Sequence, residues 1–342
     1  MSFDILFLNN KEMEAAGAGD MKQTIHDVER AYALCMSGDA IMPGKVAMPF
    51  GHNPEDEYTK GRINCMPGIV GGEYQVAGVK WVGSNPGNPA KYNIPRASST
   101  IILNDMETKL PVCVCDGTQI SAKRTGASGG VAMQYLAPKN AAVMTICGAG
   151  VQGRTQLEAA VIVRPTIKKV YVYDLYMDHS VAYISEMAPR YPQIEFIPVS
   201  YEELGKAVGE SDIVDTVTLA QEPFVKAEWV KKGCLLLNMS GYEMEDGCVR
   251  MADKVVVDFW ETVKHRLHST AAHLADKGEF PDEKLHAEIG EVVNGTKCGR
   301  ESEAETIYFN AVGAGILDLA VAGRCYKYAK ENGLGITVPY WV

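Results

Sequence analysis

Two spacings of apolar residues alternate along the chain and divide it into a mixed first third and a regular middle. Between Asp20 and Gly38, the residues Met21, Ile25, Val28, Tyr32 and Cys35 recur every three or four positions. Asp20 stands where an N-cap belongs and Gly38 where a helix stops, so this stretch predicts an amphipathic helix. The proline- and glycine-bounded segments Met42 to Pro49 and Gly61 to Gly68 are too short for helices and suit strands or turns. Each carries one cation, Lys45 and Arg62. Val76 to Val82 predicts a strand bearing Lys80, followed by a loop rich in Gly, Asn and Pro from Gly83 to Arg96, the kind of segment that holds binding groups. Ser99 to Leu103 and Leu110 to Cys115 flank a β-turn at Asn104 to Thr108. Small residues from Ser121 to Gly130 run on helically to Leu136 and surround Arg124, whose planar cationic fork suits an anion.

From Ala141 the pattern becomes periodic on a larger scale. Apolar runs at Ala141 to Cys147, Lys169 to Tyr173, Glu195 to Val199, Asp212 to Thr218, Cys234 to Met239 and Lys254 to Phe259 predict six strands. Helix-compatible stretches lie between them, including Ser180 to Tyr191 and Tyr201 to Glu210. Alternation of this kind predicts an α/β fold with a parallel sheet covered on both faces. Directly after the first run comes Gly148-Ala149-Gly150-Val151-Gln152-Gly153, and the second run ends in Asp174. Gly148 permits a tight turn, Gly150 lets backbone approach a pyrophosphate, Gly153 lets helix pack on strand, and Val151 and Gln152 open the helix whose amides face the phosphates. Asp174 then accepts from the adenosine ribose hydroxyls and repels a 2'-phosphate, which predicts NAD rather than NADP. Ligands in such sheets bind past the carboxyl ends of strands, which points to Thr216–Ala220, containing Thr218, and to Asn238–Glu243, containing Ser240. Further on, Phe309 to Asp318 is a glycine-rich approach to a helix running through Val321, Cys325 and Tyr328.

Charge and cysteine content narrow the classes. A net charge of −10 without a basic stripe argues against nucleic acid as a partner. Residues 1 to 20 include Asp4, Lys11, Glu12, Glu14 and Asp20, and no later apolar run reaches the roughly 18 residues of a membrane span, so neither a signal peptide nor membrane insertion is predicted. Nine cysteines without a C-x-x-C pair, with Cys147 and Cys234 inside apolar runs, predict a reduced cytoplasmic protein. Cys113 and Cys115 share a strand face, and His265, His268 and His273 lack partners that would complete a metal site; no metal is expected.

Together, Met66-Pro67, Lys80, Asn88 through Pro95, Asp116-Gly117, Ser121 to Thr125, the glycine fingerprint, Gly290-Glu291, Gly299-Arg300 and Val312 to Asp318 resemble the ornithine cyclodeaminase and mu-crystallin family over nearly the whole chain. The resemblance implies a Rossmann NAD-binding domain, residues 121–312, inserted into an α+β substrate-binding and dimerisation domain of residues 1–120 plus 313–342, and hence a homodimer. It implies chemistry at the α-carbon of an L-amino acid or N-substituted amino acid, through an imine and with a bound nicotinamide. By position, Lys80 matches the family lysine beside the substrate carboxylate and amine, Arg124 its carboxylate-binding arginine, Thr125 a pyrophosphate contact, and Lys45 a site where many members have a carboxylate-binding arginine; Val312 falls in a matching cofactor-side segment. Arg62 is a further substrate-binding candidate.

Two positions depart from ornithine cyclodeaminases. Gly241-Tyr242-Glu243 replaces Gly-Gly-Asp, leaving Glu243 as the candidate catalytic carboxylate, and Arg96 replaces a threonine. Arg96-Ala97-Ser98 is more like relatives that oxidise an amino-acid conjugate with extra carboxylates. The alternatives left open are ornithine cyclodeamination and a mu-crystallin-like ligand-binding protein.

Overall fold

The structure, a computed structural model, describes residues 3–53, 56–239, 241–265 and 269–342, with backbone alone at Glu57 and Tyr58. Ser240, Glu55 and His268 lie outside the described residues. The chain divides into two compact units, Met1–Arg124 with Ala314–Val342, and Thr125–Gly313.

The first unit is built on a mixed sheet. Its order is Ile336–Trp341, Phe3–Leu8, Pro111–Asp116, Ala97–Asn104, Val76–Ser84, Arg62–Val70 and Ala40–Ile41, with Val46–Pro49 also paired to Arg62–Val70. Phe3–Leu8 runs parallel to Pro111–Asp116, and every other neighbour is antiparallel. One face is buried, through Met66, Val70, Val76, Ile101, Leu103, Cys113 and Cys115, beneath the helices Met21–Met36 and Gly315–Glu331. Asp20 caps the first of these by accepting from the Gln23 amide at 3.0 Å, and Gly38, at φ +82°, ends it. Buried Asp27 then ties the layers together, accepting from Tyr74 Oη at 2.9 Å and Arg324 Nε at 2.6 Å.

Two features differ from the sequence reading. The loop after Val76–Ser84 contains a short helix, Asn88–Tyr92, with proline in its first turn. Strands also form at both chain ends, Phe3–Leu8 and Ile336–Trp341, and pair with each other. Neither end shows clean alternation: the first is almost continuously apolar and the second contains Pro339. Such a proline is tolerated because Ile336–Trp341 is an edge strand.

The second unit is an all-parallel sheet ordered Glu195–Val199, Lys169–Tyr173, Val143–Cys147, Ile213–Thr216, Leu235–Asn238, Ile307–Asn310, Lys254–Val257 and Ala287–Glu288. The six anticipated strands are joined by two more. Ile307–Asn310 is threaded between Leu235–Asn238 and Lys254–Val257, where the sequence suggested only an approach to a helix. It is four residues long and wholly buried, so it shows no alternation. Strand order reverses beside Val143–Cys147, and the crevice past the carboxyl ends of Val143–Cys147 and Ile213–Thr216 is therefore the place for a ligand.

Buried Asp258 closes the far end of this sheet, accepting from the amides of Phe259 at 2.8 Å, Val312 at 2.9 Å and Gly313 at 2.7 Å. Asp258→Ala removes the acceptor for three amides and should destabilise the protein by about 3 kcal/mol in urea unfolding, the scale for stranding buried donors. A loss under about 0.5 kcal/mol, within the range of an ordinary surface change, would show that other acceptors take over.

Candidate functional site

At the strand-order reversal, the glycines behave as a phosphate turn demands. Gly148 sits at φ +118°, and a Cβ there would come 2.8 Å from the Val217 carbonyl. A Cβ at Gly153 would lie 2.1 Å from the Gly148 carbonyl oxygen, so only glycine lets the helix Val151–Val163 approach the turn this closely. Around Gly150, the N-cap of that helix, a Cβ would meet nothing within 4 Å. The turn is thus tight beneath and open above, and no side chain caps the helix start. This arrangement fits a dinucleotide pyrophosphate at the helix N-terminus. Asp174 accepts from the amides of Ala149 at 2.9 Å and Tyr176 at 3.3 Å, and its Oδ1 lies 3.0 Å from His179 Nδ1. Arg154 holds the other side of the turn, donating to the carbonyls of Ala149 and Gly150 while pairing with Glu186. Val151 is exposed, whereas Gln152 is half-buried and accepts from Thr155 Oγ1 at 3.2 Å. The Thr125 carbonyl accepts from Gln156 Nε2 at 3.3 Å. The Val312 amide is taken up by Asp258.

Glu243 is fully buried and saturated with donors. Its Oε1 accepts from the Thr218 amide and hydroxyl, both at 2.6 Å, and its Oε2 from Asn238 Nδ2 at 3.0 Å and the Gly241 amide at 3.3 Å. Burial pushes its pKa up, and the bonds from Thr218, Thr216 and Gly241 oppose that shift. Tyr308 Oη in turn donates to Asn238 Oδ1 at 2.7 Å, and Asn310 Nδ2 to the Asn238 carbonyl at 2.7 Å. The carboxylate therefore ties the loop after Ile213–Thr216 to the loop after Leu235–Asn238. Asp215, also fully buried, has no donor to either oxygen among the described residues. Burial first, and the charge of Glu243 second, raise its pKa well above the usual carboxylate range. Sequence reasoning had placed Asn238 at the start of a ligand-facing segment but passed over Asp215 and Tyr308; the one available signal was a carboxylate in the middle of the apolar run Asp212 to Thr218.

In the first unit, Lys80 is 1% exposed and stands on the buried face of Val76–Ser84. Its Nζ lies 2.8 Å from Asp318 Oδ2 and 3.4 Å from Ser121 Oγ. Arg124 Nε is 3.1 Å from the same Asp318 oxygen, an ion contact without the alignment of a hydrogen bond. Burial first and the Arg124 charge second bring the Lys80 pKa down to about 8, with Asp318 pulling the other way. Asp318 escaped notice as a site residue, although an acidic residue among the buried Ile316, Leu317, Leu319 and Ala320 is a visible irregularity.

The other cations are placed by register. Val46 pairs with Cys65, so one more residue sets Lys45 opposite Met66, which pairs with Lys80. Lys45 thus shares the Lys80 row and face, two strand spacings or about 10 Å away. Arg62 pairs with Ser84, four residues from Lys80 on the same face, about 13 Å along the strand. Arg96 immediately precedes Ala97–Asn104 at that same end. It remains open to solvent, yet partial desolvation first and the like charge of Arg62 second lower its pKa. No carboxylate pairs with Arg96 among the described residues. The structure thus gathers Lys80, Arg124 and Asp318 into one cluster and sets Arg62 with Arg96 as a second, cationic pair.

Known proteins share this architecture along its full length. The chain is 33% identical over 338 residues to N-((2S)-2-amino-2-carboxyethyl)-L-glutamate dehydrogenase of Staphylococcus aureus, with 99% of each chain covered. It superposes on an archaeal alanine dehydrogenase dimer with bound NAD at a TM-score of 0.88 and 34% identity, covering 99% of this chain and 100% of that one. It also superposes on Thermococcus litoralis Delta(1)-pyrroline-2-carboxylate reductase in complex with NADH and L-proline at a TM-score of 0.87 and 34% identity, covering 98% and 100%. Residues 8–333 match the ornithine cyclodeaminase/mu-crystallin family, and the chain, with its glycine turn and its Lys80–Asp318–Arg124 cluster, belongs to that family.

Proposed function

We propose that the protein is an NAD-dependent oxidoreductase acting on the α-carbon of an L-amino acid, free or N-substituted, that carries at least one carboxylate beyond its α-carboxylate. The observation that carries the reading is the buried Lys80–Asp318–Arg124 cluster: while Lys80 holds its proton, two cations around one anion leave a single positive charge for an α-carboxylate. The names of the three similar proteins given above, two amino-acid dehydrogenases and one imine reductase, support it. NAD, held by the Gly148–Gly153 turn and Asp174, supplies the hydride acceptor when bound. Lys80 and Arg124 orient the α-carboxylate, with Lys45 alongside. Oxidation removes a hydride from the α-carbon and a proton from the substrate ammonium, giving an iminium; neutral Lys80 takes that proton and passes it to solvent. Glu243, with four donors, braces the strand-end loops. Arg62 and Arg96 receive the additional carboxylate. Like the archaeal relative, the protein works as a dimer.

Three outcomes are expected. Because only unprotonated Lys80 accepts a proton, kcat/KM for oxidation should rise with pH through about 8. A flat profile from pH 6.5 to 9 in steady-state assays, with a primary isotope effect on the α-deuterated substrate showing that hydride transfer limits the rate, would remove Lys80 from that role.

Asp174 should keep NADP out, since a 2'-phosphate against this carboxylate adds buried like charge. Asp174→Ser is expected to narrow the NAD preference at least about tenfold, or about 1.4 kcal/mol. Wild-type protein that binds NADP more tightly than NAD in a fluorescence titration would refute the assignment.

With NAD present, an acidic conjugate of the kind named for the S. aureus relative should yield NADH, and ornithine should yield neither NADH nor ammonia. Arg96→Thr should weaken binding of the acidic substrate by about 2 to 4 kcal/mol and spare NAD affinity. Efficient release of ammonia from ornithine without NADH accumulation would instead make the protein a cyclodeaminase.

A further inference from the structure

Asp318 is the one charged member of the Lys80 cluster to which the reaction above gives no step of its own. It reaches the cluster from the helix Gly315–Glu331, whereas Lys80 comes from the strand Val76–Ser84 and Arg124 and Ser121 from the helix Thr118–Leu136. The side chains paired with Lys80 on the neighbouring strands, Met66 and Ile101, are apolar. The charged groups facing Lys80 are therefore Arg124 and Asp318, and Asp318 is the sole anion among them in the described residues. Its Oδ2 is shared by Lys80 Nζ at 2.8 Å and Arg124 Nε at 3.1 Å, it is wholly buried, and its Oδ1 has no donor among the described residues.

We propose that Asp318 is the positioning residue of the site: it fixes Lys80 against Arg124 and cancels one of their two charges, so that the cluster binds one carboxylate and Lys80 exchanges its proton within the working pH range. Two cations buried side by side without an anion would repel, and the more easily deprotonated lysine would lose its proton. A carboxylate shared between them keeps both in place and leaves one charge unbalanced. The inference rests on the reading of Lys80 as the proton acceptor. It is supported by the direction of the Lys80 shift, in which Asp318 acts to raise the pKa against burial and Arg124.

Asp318→Asn keeps the shape and an oxygen for Lys80 but removes the charge. The rising limb of the kcat/KM profile should move to lower pH by about one unit or more, the usual effect of deleting a neighbouring opposite charge. NADH affinity, measured by fluorescence, should stay within about twofold, because the dinucleotide turn is untouched. An unmoved limb accompanied by a loss of kcat would mean that Asp318 only supports packing, and would overturn the proposal. If Asp318→Asn does not fold, Asp318→Glu tests the same point from the other side. The limb should then stay where it is while kcat falls, since the charge is kept and Nζ is displaced; a limb shifted downward would overturn the proposal. Wild-type enzyme lacking any limb near pH 8 would count against the Lys80 reading itself, and separately from either variant.

Discussion

The fold of the first unit answers to one cost, that of holding Lys80 and Arg124 out of water. A buried ammonium or guanidinium is tolerated only with a partner at hydrogen-bonding distance. That partner is Asp318, 238 residues after Lys80 in sequence. The pairing makes the C-terminal helix part of the N-terminal sheet's core, and the Asp27–Arg324 bond repeats the device a turn and a half further along the same helix. Each bond couples chain segments that hydrophobic burial alone would join less specifically, since apolar contacts carry no directional preference.

The second unit buries carboxylates too, and it treats Glu243 and Asp215 in opposite ways. Glu243 stays anchored because four donors from the strand-end loops converge on it. Asp215, with no donor among the described residues, is held toward the protonated form by burial. Two ionised carboxylates in one dry sheet would repel, and neutralising one of them relieves that at the site with no donors to lose. The bracing of Thr218 by Glu243 gives the length of this side chain a physical purpose: its reach spans two loops.

Where residue type alone forces a backbone form, the sequence was readable. The helix between Asp20 and Gly38, the glycine turn and the first six parallel strands follow from caps, positive φ and apolar runs, all local. Ile307–Asn310 was not readable, because four buried residues carry no period and their place between two earlier strands is a tertiary matter. The edge strand Ile336–Trp341 was hidden by its proline. Of the site, each cation was legible as a charge in an unusual setting, whereas Asp318 was read only as the end of a glycine-rich, family-like approach to a helix, with no part in the site. Its meaning depends on which strand that helix covers, and no spacing along the chain encodes that.

The central claim is that the α-carbon gives up its hydride for good. Substrate deuterated at the α-carbon and offered with unlabelled NAD tests this directly, the released nicotinamide cofactor being weighed by mass spectrometry. The account predicts one deuterium per reduced cofactor released, formed in step with substrate consumed. Deuterium returned to the carbon skeleton of the product, with the cofactor unlabelled and unreduced after many turnovers, would contradict it.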